Sequence, residues 1–361
     1  MHQERRSFSA QSSSRRGLPH LDDVHSFRAV AIAAVVATHV IDYLEATNPG
    51  SASNRFALSF FQNGSVLFVF IAGLLFQYLS AGFDYRSYLS NKWRFVIVPY
   101  LVASVPALAH QYVRRVGVFA PAHYHGNLLR TLLSSFVKAS HLPRPLWFIP
   151  MISLFYVLAP LFLHIDRKTR SYAFLIPATS LVAGFVHRPL PLDRPLHAFA
   201  YFLPAYLAGM ATGRFYQRLK IWFARNDVRW GLTALALGLL MFEVVVLGRG
   251  GALWSRGTLL PLAFDTNLLL KLVSAVALLA WLSMSPKTLH RRLSLTANLS
   301  FGVFFVHEYV LFALNRLLPS LPRATFPHII VGTAIVLGTS LLVVMATKRL
   351  SGRWSRYLVG C

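Results

Sequence analysis

In the stretch HSFRAVAIAAVVATHVIDY, residues 25–43, Arg28 and His39 stand at the two ends of an otherwise aliphatic run. An ionisable side chain inside a membrane helix costs roughly 2.5–3.5 kcal/mol, so one that is kept there faces protein or water and has a task. A guanidinium attracts anions; an imidazole, titrating near neutrality, gives and takes protons. A separation of 11 residues turns a helix through about 1,100°, three turns and a small remainder, so the two side chains share a face roughly 16 Å apart along the axis. Asp42 and Tyr43 follow His39 at i+3 and i+4 on that same face, and either is placed to hold the imidazole in one tautomer.

Other apolar stretches carry polar groups at matching positions. FFQNGSVLFVFIAGLLF brings Asn63, Gly64 and Ser65 in its first turns, and LWFIPMISLFYVLAP places Trp147 just after Pro143 and Pro145. NLSFGVFFVHEYVLF carries His307 and Glu308, with Ser300 seven residues ahead of His307 and therefore on its face. If the amino terminus is inside, all of these arrive at the external level of His39, and such convergence is what a membrane-embedded active site requires. Each residue alone has a plainer reading: a packing histidine, an interfacial tryptophan, small residues for helix approach, a snorkelling arginine. The HYH of 123–125 has no obvious third ligand, so no metal site is expected. With only 12 Asp and Glu in the chain, an acid pair of the glycosidase type is not expected either.

The elements that must position these groups are membrane helices. Of the 361 residues 55% are hydrophobic and 13% charged, which is too apolar for a soluble protein of this length. The net charge of +24 is spread between apolar segments, not gathered on one basic face, so no nucleic-acid partner is expected. Windows near 20 apolar residues fall at 26–46, 57–80, 95–113, 146–164, 171–187, 197–216, 230–248, 262–283, 296–318 and 328–347, and 127–141 reads as a half-buried or re-entrant piece. Most of the 36 Lys and Arg fall in the segments that are cytoplasmic if both termini are inside. The expected fold is an all-α polytopic bundle of about ten spans. Residues 1–24 read as a disordered basic tail without a signal peptide, 25–350 as the membrane domain and 351–361 as a cytoplasmic tail. A single cysteine, Cys361, leaves no internal disulfide and no cysteine-based metal cluster.

Taken in order, these segments resemble the acyltransferase 3 family of bacterial integral-membrane acyltransferases. Arg28 and His39 match its basic residue, ten residues, histidine signature, and NGSVLFVFIAGLL is similar to its second span. RFVIVPY, PLWFIPMISLFYVLAPLF, FLPAYLAGM and LSFGVFFVHEYV resemble its third, fourth, sixth and late spans. Two departures stand out: the family's Ser-Gly in the second span is Ala72-Gly73, and its Arg-x-x-Arg before the third is reduced to Lys92-Trp93-Arg94 followed by Val96.

The resemblance implies transfer of an acyl group, usually acetyl from acetyl-CoA, to a sugar hydroxyl of an exopolysaccharide, O-antigen or lipo-oligosaccharide at the bacterial cytoplasmic membrane. The donor is a substrate and no bound cofactor is implied; the partners are acyl-CoA, a glycan or lipid-linked glycan, and membrane lipid. On this expectation His39 is the base, oriented by Asp42 or Tyr43, or carries the acyl group in a two-step route, and Arg28 and Arg94 draw in the anionic donor. Asn63, Gly64, Ser65, Trp147, Ser300, His307 and Glu308 are the expected substrate contacts. The membrane part is expected to do the chemistry alone, with no appended SGNH-type hydrolase domain. A transporter or flippase for a glycan-lipid, using Arg28 and the histidines as substrate or proton sites, is the competing expectation.

Overall fold

The computed structural model describes residues 21–43, 51–122, 124, 126–139, 144–190, 194–255, 263–317 and 326–361. His123 and His125, and with them the HYH motif, lie outside the described residues, as do residues 1–20 of the expected tail. The fold is an all-α bundle, and its one sheet among the described residues is a bridge of two residues on each side.

Helix α1 (Asp22–Tyr43) begins a few residues before the expected span, with Asp22 and Asp23 in its first turn, where acidic side chains complement the helix dipole. The second span is two helices, α2 (Ala52–Phe61) and α3 (Ser65–Tyr78). Next come α4 (Tyr85–Lys92), a π turn at Trp93–Ile97, α5 (Val98–Arg114) and the short amphipathic α6 (Leu128–Lys138). The fourth span is also two helices, α7 (Phe148–Val157) and α8 (Ala159–Asp166), bent by 55° at a break whose far side begins with Ala159-Pro160. Then follow α9 (Ser171–Val186), α10 (Pro195–Arg214), α11 (Tyr216–Phe223), α12 (Asn226–Met241), α13 (Thr266–Ser283), α14 (Lys287–Leu317), α15 (Phe326–Ser351) and α16 (Ser355–Leu358). Strands β1 (Arg188–Pro189) and β2 (Trp254–Ser255) pair in parallel with Arg188 opposite Trp254.

Every one of the ten expected windows contains helix. Seven helical segments among the described residues are long and apolar enough to cross a membrane, and the bent α7–α8 pair makes an eighth if counted as one span. The segment after α15 is not a loose tail: Ser355 and Val359 are buried, and α16 packs on α5.

Helices α1 and α14 form the centre. They pack on each other along their lengths and have the largest share of their apolar windows inside the protein, 61% each, against 22% for α12 and α15. The outer helices carry the exposed large apolar side chains, such as Val245, Val246 and Leu342, a surface suited to lipid. The tightest seam joins α3 to α10. A Cβ on Gly209 would lie 2.0 Å from the Phe70 carbonyl oxygen, and one on Gly73 would lie 2.1 Å from that of Tyr206. Only glycine lets two backbones approach so closely, the small-residue device of membrane helix packing.

Candidate active site

A cavity of about 470 Å³ lies where α1 meets the α2–α3 break. The break exists because the chain turns through Gln62-Asn63-Gly64, with Asn63 in the left-handed region at φ 64°, which Asn tolerates better than most residues. Backbone carbonyls freed by a broken membrane helix must find donors. Here neighbouring helices supply them: Thr38 Oγ1 donates to the Phe61 carbonyl at 2.8 Å, Lys271 Nζ to Phe60 at 2.6 Å and Asn267 Nδ2 to Ser59 at 3.2 Å. The break leaves room for the cavity, and Asn63, Gly64 and Ser65 line it at the start of α3.

His39 and Asp42 line the same cavity from α1. His39 Nδ1 is buried and lies 3.8 Å from Asp42 Oδ2 and 3.7 Å from Glu308 Oε2. Both carboxylates flank Nδ1, and the side chain, 14% exposed, reaches the cavity. The Glu308 side chain is the more buried of the two acids, 5% exposed against 32%, and Tyr43 donates its hydroxyl hydrogen to Glu308 Oε1 at 3.5 Å. Carboxylates beside Nδ1 favour the tautomer that leaves the lone pair on Nε2, the arrangement by which acid–histidine pairs of hydrolases supply a base.

His307 sits behind His39, with ring centres 5.3 Å apart, and is fully buried. Its Nδ1 lies 2.9 Å from the Val303 carbonyl, which can only accept, so Nδ1 carries the proton and Nε2 is an acceptor with no hydrogen-bond partner among the described residues. Ligand atoms of His39, His307 and Glu308 lie within 4.8 Å of one another. A tetrahedral ion with bonds near 2.1 Å needs ligand atoms about 3.4 Å apart, and the His39–Glu308 pair stands at 3.7 Å.

The far wall was not legible as such in the sequence. Trp147 is 4% exposed and stacks on Phe202 at 5.6 Å, so it is a cavity wall and not an interfacial anchor. Asn63 Nδ2 donates to Tyr201 Oη at 2.7 Å, and Tyr201 donates to Asp265 Oδ2 at 2.8 Å, which ties the break to α10 and the start of α13. Arg188 and Trp254, neither expected, join the lining through the β1–β2 bridge. The Arg188 guanidinium carbon is 5.1 Å from the Trp147 ring centre and 4.6 Å from that of Trp254. Desolvating such a cation costs several kcal/mol, and each cation–π contact returns about 0.5–2 kcal/mol.

Of the expected site residues, His39, Asp42, Asn63, Gly64, Ser65 and Trp147 line the cavity, while His307 and Glu308 form the layer behind His39. Ser300 is buried away from the cavity and bonds the Ala297 carbonyl at 2.9 Å. Arg28 lies at the opposite end of α1 within reach of the charge on Lys92, whose ammonium sits over the rings of Tyr88 and Tyr156. Arg94 is exposed, so the basic group the structure brings beside Arg28 is Lys92.

A family model described as an acyltransferase domain, acyltransferase 3, matches residues 21–345, nearly the whole chain. The chain belongs to the acyltransferase 3 family. No curated protein and no solved structure matched it. Membership makes the protein a membrane acyltransferase, and the matched region takes in α1, with Arg28 and His39, and α14, with His307 and Glu308.

Proposed function

We propose that this acyltransferase 3 protein transfers an acyl group, acetyl in the simplest case, from acyl-CoA to a sugar hydroxyl of an exported or surface glycan. The observation that carries the reading is His39, which lines a cavity with its Nδ1 3.8 Å from a carboxylate oxygen of Asp42 and 3.7 Å from one of Glu308. A sugar hydroxyl is a poor nucleophile at neutral pH and needs a base within hydrogen-bond reach. His39 Nε2 takes the hydroxyl proton as the oxygen attacks the thioester carbonyl; the carbon–sulfur bond then breaks, and the proton passes to the departing CoA thiolate. Glu308 and Asp42 stabilise the imidazolium between these steps, and His307 Nε2 lies behind as an acceptor. Arg28 and Lys92 form a basic approach for the CoA phosphates. The gap of about 16 Å along α1 between Arg28 and His39 suits an extended phosphopantetheine arm. In this reading the cavity opens to the external side and both termini are cytoplasmic.

The test is glycan analysis of a deletion strain complemented with wild type or His39→Ala. The expected result is a polymer exported in normal amount but without its ester until wild type is restored. Blocked export in the deletion strain would point to a transporter, and esterification by His39→Ala at near wild-type level would remove His39 as the base.

A further inference from the structure

Neither the histidine–carboxylate group around His39 nor the donor approach uses Arg188. Its side chain reaches the cavity wall shared with His39 and Asp42, although the residue as a whole is only 5% exposed. Its Nε is buried and without a hydrogen-bond partner among the described residues. The acids whose charge reaches it, Asp42 and Asp265, are engaged elsewhere: Asp42 faces His39 at 3.8 Å, and Asp265 accepts from Tyr201 and from the Asn267 amide. What holds the guanidinium is aromatic, Trp147 on one element and Trp254 on another.

This is an expensive arrangement for a residue whose only task is structural. The β1–β2 bridge is made by backbone atoms, the Arg188 amide donating to the Leu253 carbonyl at 3.0 Å, and needs no arginine side chain. A neutral side chain would fill the gap between two indoles without the desolvation cost of a cation. Arginine supported by aromatic rings keeps a rigid fork of N–H donors for a planar or tetrahedral oxyanion, which a lysine cannot reproduce. In a cavity beside the acceptor's base, that fork selects for charge on the acceptor.

We propose that Arg188, clasped by Trp147 and Trp254, is the acceptor-specificity residue of this site and binds an anionic group, a carboxylate or a phosphate, carried by the sugar that is acylated. The assignment rests on the acyl-transfer reading above for its catalytic consequence, but anion binding at Arg188 is measurable without catalysis.

The experiment uses the full chain in lipid nanodiscs at fixed ionic strength, as wild type, Arg188→Gln and Arg188→Lys, with methyl glucoside, methyl glucuronoside and methyl glucoside 6-phosphate as probes. The first arm omits donor and follows tryptophan fluorescence, with Trp254→Phe identifying the signal from this wall. Wild type should bind one of the two acidic probes at least about tenfold more tightly than the neutral one, the range of a charge-assisted pair, and Arg188→Gln should lose the difference. Arg188→Lys should keep only part of it, an outcome that mere loss of packing does not produce. Preference for the glucuronoside identifies a carboxylate as the natural group, and preference for the phosphate identifies a sugar phosphate or phospholipid linkage.

The second arm adds acetyl-CoA and measures ester formation. The expected result is a kcat/KM ratio favouring the acidic probe that collapses in Arg188→Gln through KM. Transfer to acidic and neutral probes with equal efficiency would overturn the inference and leave the acyltransferase reading standing. Arg188-dependent anion binding without transfer to any probe would keep the anion site and count against the acyl-transfer reading. Equal binding of all three probes by wild type and Arg188→Gln overturns the inference whatever the second arm shows.

Discussion

His39 differs from an ordinary membrane histidine in its surroundings, two carboxylates beside Nδ1 and a cavity that the residue lines. Removing a positioned general base costs about 10²-fold or more, so His39→Ala should lose acyl transfer to that extent while the protein still inserts and accumulates. The two acids should differ. Glu308 is buried and shared with Tyr43, whereas Asp42 is partly exposed, so Glu308→Gln should lower kcat by more than Asp42→Asn, with KM little changed in both. A stopped assay of CoA release separates these; a larger loss in Asp42→Asn would make Asp42 the orienting group. The residues legible in the sequence were those whose polarity broke an apolar run: His39, Asp42, Asn63 and Ser65. Arg188 and Trp254 gave no such signal, because they sit in loops rich in polar residues and meet only through a bridge between positions 66 residues apart.

At the scale of elements, the chain's apolar windows foretold where helices lie, but not where they break. Periodicity carries no mark of the α2–α3 turn, since the residues that satisfy it, Thr38, Asn267 and Lys271, come from other helices. Arg94, expected at the donor approach from the likeness of its segment to the family's third span, is exposed. It lies within the π turn at Trp93–Ile97, a break in the helix that periodicity gives no sign of. Two substitutions test this level. Lys271→Met leaves the Phe60 carbonyl without its donor and should destabilise the protein by about 1–3 kcal/mol. Gly209→Ala drives a methyl into the Phe70 carbonyl and should lower the melting temperature in detergent, whereas Gly238→Ala on α12, with open space around it, should not. Equal behaviour of the two glycine variants would mean that the α3–α10 seam is looser than described.

For the whole molecule, a buried pair of helices bears the two histidines of the candidate site, and more exposed apolar helices lie outside it. Fold class was readable because composition alone demands a bilayer, but the number of spans was not. Helices α7, α8 and α9 are short or bent, and length in sequence does not say whether such a piece crosses. Reporter fusions settle the orientation: those after Arg167, Arg218, Lys287 and Arg356 should report cytoplasm, and those after Arg194 and Gly250 the external side. A cytoplasmic signal at both Arg194 and Gly250 would put the cavity's Arg188 wall on the wrong side for an exported acceptor.

The bond from Lys271 to the Phe60 carbonyl also sets an order of assembly. Its two residues are 211 apart, so at about 5–20 residues per second the donor leaves the ribosome roughly 10–40 s after the acceptor. For that interval the end of α2 has neither Lys271 nor Asn267, and neither α2, at 10 residues, nor α3, at 14, is long enough to span a bilayer alone. Two of the carbonyls at the broken span therefore gain their donors only when α13 arrives. The candidate cavity is a late product of synthesis, and chains truncated before α13 should insert in the membrane without its wall being complete.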